Sequence, residues 1–91
     1  MLEIDKIYVL DENIVLKSIN DNFWALDTRL GAQYKLNRVG FDILSFLDGM
    51  CTLHQIVEKV ATKYNVSEDI VQSDMIDMLK IAIKKNVILR R

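Results

Sequence analysis

Hydrophobic and polar positions alternate with a period near two over the first third of the chain, then switch to a helical period. Residues 7–10 (Ile-Tyr-Val-Leu) form a short apolar run, and Asp11-Glu12-Asn13 punctuates it. Residues 14–19 put Val15 and Leu16 on opposite faces and end in the Asx-rich turn Asn20-Asp21-Asn22. Phe23-Trp24-Ala25-Leu26 is apolar on both faces, the pattern of a strand covered on two sides. Thr28 to Gly31 then turns the chain, with Gly31 free to take positive φ. Residues 32–36 alternate again, Tyr34 and Leu36 pointing one way, Gln33 and Lys35 the other. A half-polar strand carrying a lysine suits a sheet edge.

From Asn37 the period becomes 3.6. Asn37 serves as an N-cap, Val39, Ile43, Phe46 and Leu47 share a face, and Asp48-Gly49 ends the helix. Thr52 and Gln55 have capping-box spacing, and Leu53, Ile56, Val57, Val60, Ala61 and Tyr64 follow the amphipathic repeat without a miss. Asn65 closes this second helix in a left-handed conformation. Ser67 caps a third helix, with Glu68 and Asp69 favouring its positive end, that runs to about Lys85. The expected class is α+β: a three-stranded antiparallel sheet followed by three helices, winged-helix-like, in one domain over residues 1–91.

The third helix is apolar over more than one stripe. At about 100° per residue, Val71, Met75, Met78, Leu79 and Ala82 make the core face. Ile76 and Ile83 lie on one flank beyond Leu79, and Ile70 and Ile81 on the other. Two readings stand: the helix is central and packed on both sides, or one flank lines a groove for a partner beside an edge strand.

Composition narrows the chemistry. A hydrophobic share of 51% with 27% charged residues describes a globular chain rather than a disordered one. Twelve basic residues against thirteen acidic, net −1, give no broad electrostatic footprint for nucleic acid. No apolar run approaches the ~20 residues of a membrane span, and no signal-peptide pattern is present. The single cysteine forms no internal disulfide, which fits a reducing cytoplasm. Cys51 and His54 have Cys-x-x-His spacing, but two ligands do not make a zinc site, and no metal or cofactor is expected. There is no glycine-rich phosphate loop, and the carboxylates Asp42, Asp48, Asp74 and Asp77 are scattered, so an enzyme is not expected.

Three helices beside a small sheet also admit a winged-helix DNA binder. There the third helix would lead with its N-terminal half, and Glu68, Asp69, Asp74 and Asp77 would face phosphates. A further alternative is a structural homodimer joined through the spare face of that helix. The basic cluster Lys80, Lys84, Lys85, Arg90 and Arg91 reads as complementing the helix C-terminus with a solvated tail, or as drawing in an acidic peptide.

The chain resembles the PqqD-like family, the leader-peptide-binding domains also called RiPP recognition elements. The resemblance runs through Gly31, Tyr34, Leu36-Asn37, Gly40, Ile43-Leu44, Leu47-Asp48-Gly49, Thr52, Ile56, Tyr64, Val66, Asp74 and Leu79, and covers most of the chain from about residue 14. Asn86 stands where the family often has glycine, and asparagine also tolerates the left-handed conformation. The resemblance implies a non-catalytic peptide chaperone that captures the leader of a ribosomally made precursor. It would present that precursor to a modifying enzyme, commonly a radical SAM protein, or to a leader peptidase in lasso-peptide systems. The implied mode is addition of the leader as a strand to an edge beside the third helix. On this sequence the implied peptide-binding residues are Gln33, Tyr34, Lys35, Leu36, Ile76, Leu79, Lys80 and Ile83. If residues 23–27 formed the edge instead, Trp24 and Leu26 would take over.

Overall fold

The structure, a computed structural model, describes residues 2–91. The chain runs β1 (Ile7–Leu10), β2 (Ile14–Ile19), β3 (Asn22–Asp27), β4 (Ala32–Leu36), α1 (Arg38–Ser45), β5 (Asp48–Thr52), α2 (Leu53–Tyr64), α3 (Glu68–Lys84) and β6 (Ile88–Arg90). These strands form two antiparallel three-stranded sheets, ordered β2-β3-β4 and β5-β1-β6. The α+β class and the three-stranded meander agree with the sequence reading. The second sheet was not expected. β1 does not join the meander; it pairs instead with β5 and β6, drawn from the middle and the end of the chain.

Local chemistry sets the helix boundaries. The Asn37 side chain accepts from the Gly40 N–H at 2.7 Å and opens α1. Thr52 and Gln55 make the reciprocal capping box, with Thr52 Oγ1 accepting at 3.2 Å and the Thr52 N–H donating at 2.8 Å. Ser67 accepts from the Asp69 N–H and starts α3. Asn65 and Asn86 both occupy the left-handed region, at φ 53° and 58°, and Gly31 lies at φ 70°.

α1 stops earlier than its periodicity suggests. The Phe46 N–H is shared between the Asp42 and Ile43 carbonyls, and the Leu47 N–H turns to the i−3 carbonyl of Leu44, which tightens the last turn. The Leu47 carbonyl then accepts from the Leu10 N–H, committing the chain to β5. Gly49 is therefore a strand residue, not a helix stop. The C-terminal residues are not a free tail either. β6 pairs with β1, Arg90 bonds Glu3 at 2.9 Å, and the Arg91 guanidinium donates to the Gly49 carbonyl.

One cluster of buried side chains joins all these elements. Leu53, Ile56, Val57 and Val60 of α2 meet Val71, Met75, Leu79 and Ala82 of α3, with Tyr8, Ala25, Ile43, Leu44 and Ile88 closing the cluster. The meander is covered on one face only. Phe23 and Ala25 are buried, whereas Trp24 and Leu26 are half-buried on the outer face, so β3 is not sandwiched. No helix among the described residues is long and apolar enough to cross a membrane.

Candidate functional site

Among the described residues β4 pairs with β3 alone, so its far side is an open sheet edge. The alternation expected for it holds. Tyr34 and Leu36 are half-buried against the core, and Gln33 and Lys35 are exposed. Because β3 sits between β2 and β4, the alternative placing Trp24 and Leu26 on the edge does not apply.

Two adjoining hollows separate β4 from α3. The first, about 180 Å³, is walled by Tyr34 and Leu36 on the strand side and Met78, Ile81, Ala82 and Lys85 on the helix side. The second, about 350 Å³, lies at the other end of β4, where Leu36, Asn37, Val39 and Gly40 face Asp74 and Met78. Together they form a mainly apolar groove with Met78 at its centre. Gly40 keeps this junction open: a Cβ at this position would stand 3.0 Å from both the Met78 sulfur and the Asn37 side-chain oxygen, so those side chains would have to give by a few tenths of an ångström.

The helix side of the groove differs in phase from the expected residues. Leu79 is fully buried in the core. Ile83 is turned to the opposite side of α3, where it lines a hollow with Tyr8, Asn86, Ile88 and Leu89. Ile76 and Lys80 line neither groove hollow. The flank beside β4 carries Ile81, which is 57% exposed, with Asp74, Met78 and Lys85, and Ile70, 59% exposed, has the same helical phase one turn before Asp74. The sequence showed both isoleucine flanks. What decides between them is the side on which the meander packs, and helical periodicity carries no such information. Of the residues read from the sequence, the structure brings together Tyr34, Lys35 and Leu36, leaves Gln33 exposed on the same strand, and sets Ile76, Leu79, Lys80 and Ile83 apart.

Polar contacts fix the groove's walls. Asp27, buried at the end of β3, accepts from the backbone N–H of Arg29 and from its guanidinium, with Nη2 at 3.0 Å. The same Arg29 Nη2 donates to the Asn86 carbonyl at 3.0 Å, and Asp11 stands 3.7 Å from the guanidinium. The turn entering β4 is thereby tied to the turn leaving α3. At the far end, Asp42 of α1 is held by Lys63 at 2.8 Å and by the Tyr64 hydroxyl of α2. Burial acts to raise the Asp42 carboxyl, but hydrogen bonds from Lys63 and Tyr64 outweigh it and leave its pKa below the ordinary value. Burial and the Asp42 contact both push the Tyr64 hydroxyl upward.

The hydrogen bond from Arg29 is the main cause holding the Asp27 carboxyl below its usual 3.8. A depressed carboxyl stabilises the fold above its unfolded pKa and loses that contribution as pH falls through the lowered folded value. Asp27→Asn is therefore expected to lower stability at neutral pH and to flatten its decline below about pH 4. Unfolding midpoints followed by circular dichroism from pH 7 to pH 2 check this. Parallel pH profiles for the variant and the wild type would count against the clamp.

The Cys51 sulfur lies 3.1 Å from Lys59 Nζ, and His54 is exposed at 3.7 Å from Glu58 and 3.9 Å from Glu68. Neither touches the groove.

Fold and groove define a class: small α+β domains that leave one sheet edge open beside the flank of their longest helix. Residues 22–88 match the sequence model of the family described as Coenzyme PQQ synthesis protein D (PqqD), and the chain belongs to that family. Among curated proteins, none shows significant similarity to the chain. Solved structures do. TbiB1 in complex with the TbiA(beta) leader peptide is 25% identical, covering 88% of this chain and 93% of its own, with a TM-score of 0.75. The PqqD truncation of Methylobacterium extorquens PqqCD, described as a functional and stand-alone RiPP recognition element, is 20% identical over 99% of this chain and 96% of its own, with a TM-score of 0.84. Lasso peptide synthetase B1 complexed with the leader peptide is 17% identical over 90% and 96%, with a TM-score of 0.75. The last two establish the shared fold.

Proposed function

We propose that this protein is a leader-peptide-binding domain that captures a ribosomally made precursor by strand addition to β4 and hands it to a modifying enzyme. The observation that carries this reading is the open β4 edge running beside an apolar groove on α3. An edge offers main-chain hydrogen bonds in register, and a groove next to it offers side-chain selection, the two components of recognition by an added strand. Membership of the PqqD family supports the choice of ligand, as does the leader peptide bound to TbiB1. On the β4 side the binding residues are Gln33, Tyr34, Lys35 and Leu36. On the helix side the groove favours Met78, Ile81 and Lys85 over the Ile76, Leu79, Lys80 and Ile83 set. The protein contributes no catalysis of its own, works in the cytoplasm, and serves an enzyme such as a radical SAM protein or a lasso-type peptidase.

Strand addition makes a prediction that side chains do not confound. Only alternate N–H groups of an added strand point at the edge it joins. N-methylation of one alternating set of leader residues is expected to abolish binding, while methylation of the other set leaves it within a few-fold. Isothermal titration of the two methylated series reads this directly. Equal tolerance of both sets would rule out strand addition.

A further inference from the structure

The groove is electrically polar along its length. Its helix wall begins at Asp74, beside Leu36 and Asn37, and ends at Lys85, beside Tyr34. None of the described ion pairs uses Asp74, Lys35 or Lys85, although Asp27, Asp42, Arg29 and Arg38 are all engaged elsewhere. Lys35 runs along both hollows, but its ammonium sits over Trp24 on the outer face, 5.6 Å from the ring centroid. Lys85 lies over the Tyr34 ring at 5.4 Å and sets the sign at its end of the groove.

Direction follows from the fold. Arg29, just before β4, bonds Asn86, just after α3, so the start of β4 lies beside the end of α3. A strand antiparallel to β4, the arrangement of every pair in this meander, would enter at Asp74 and leave at Lys85. Those two residues stand about three helical turns apart, roughly 16 Å at ~1.5 Å per residue. Alternate residues of a strand advance about 6.8 Å, so three groove-facing side chains span roughly 14 Å. The reach of a lysine or glutamate covers the difference.

Resting on the strand-addition reading, we infer that the groove takes an antiparallel strand whose alternate, groove-facing residues are basic, then apolar, then acidic from N to C. The basic residue meets Asp74, the apolar residue sits against Met78 and Ile81, and the acidic residue meets Lys85. The test uses two acetylated and amidated peptides of identical composition, one centred on Lys-Thr-Leu-Thr-Glu and the other on Glu-Thr-Leu-Thr-Lys, each flanked by threonines. Binding is followed by amide chemical shifts of the labelled protein. The first peptide is expected to bind about tenfold more tightly at low salt, since two exposed pairs change from repulsion to attraction. The gap should narrow at high salt. The charge-swapped variant Asp74→Lys with Lys85→Asp should reverse the preference. A preference unchanged by the swap overturns the roles of Asp74 and Lys85, and a wild-type preference for the second peptide overturns the direction. Equal affinities, with N-methyl sensitivity retained, overturn the polarity but leave strand addition standing. Binding of neither peptide overturns the basic–apolar–acidic order, while strand addition stands or falls on the N-methylated leader series.

Discussion

Replacing Leu79 by alanine is expected to lower the unfolding free energy by about 3 kcal/mol, the middle of the range for a buried leucine truncated in a close-packed core. Leu79 has no exposed surface and belongs to the cluster shared by α2, α3 and both sheets. In a domain this small, each kcal/mol moves the melting temperature by several degrees, so the midpoint should fall by roughly 15 °C. Denaturant unfolding and a thermal scan check the two figures independently. A loss below about 1 kcal/mol would show that the site collapses without leaving a cavity. Peptide affinity, measured where the variant is still folded, should stay within about twofold of wild type, because Leu79 lines neither groove hollow.

Ile81→Asp should do the opposite. Ile81 is 57% exposed in the free protein, so the substitution is expected to change stability by no more than about 0.5 kcal/mol. A bound strand would cover it. The variant then loses the apolar burial and must desolvate a carboxylate, which together should weaken leader binding on the order of 30-fold or more. Ile83→Asp is the control: it lies across α3 beside Tyr8 and Ile88 and should leave affinity unchanged. Isothermal titration of both folded variants discriminates the two flanks. Loss of binding in Ile83→Asp with retention in Ile81→Asp would move the site to the other side of α3.

That contrast marks where the sequence was legible. Signals confined to a few neighbouring residues were readable, because their physics is local. Asn37, the Thr52–Gln55 box, Ser67 and the left-handed Asn65 all cap helices as read, and the β4 alternation puts Tyr34 and Leu36 inward. The second sheet was not readable. β5 (Asp-Gly-Met-Cys-Thr) has no apolar alternation and β6 has three residues, and their pairing with β1 joins segments far apart in the chain. The helix wall of the groove was half readable. Periodicity gave two flanks of isoleucine, and only tertiary packing selects the one holding Ile81. Arg29 was read as a turn residue because its partner Asn86 is brought near only by the fold.

The strict alternation of β4 has one more consequence. A chain laid along this edge as a strand turns every second side chain away from the groove, toward the side where Gln33 and Lys35 stand. Those positions meet only the exposed Gln33 and Lys35 and enter neither hollow. A precursor can therefore carry two messages in one short stretch: one set of residues to be gripped here, and an interleaved set left legible to whatever protein approaches next.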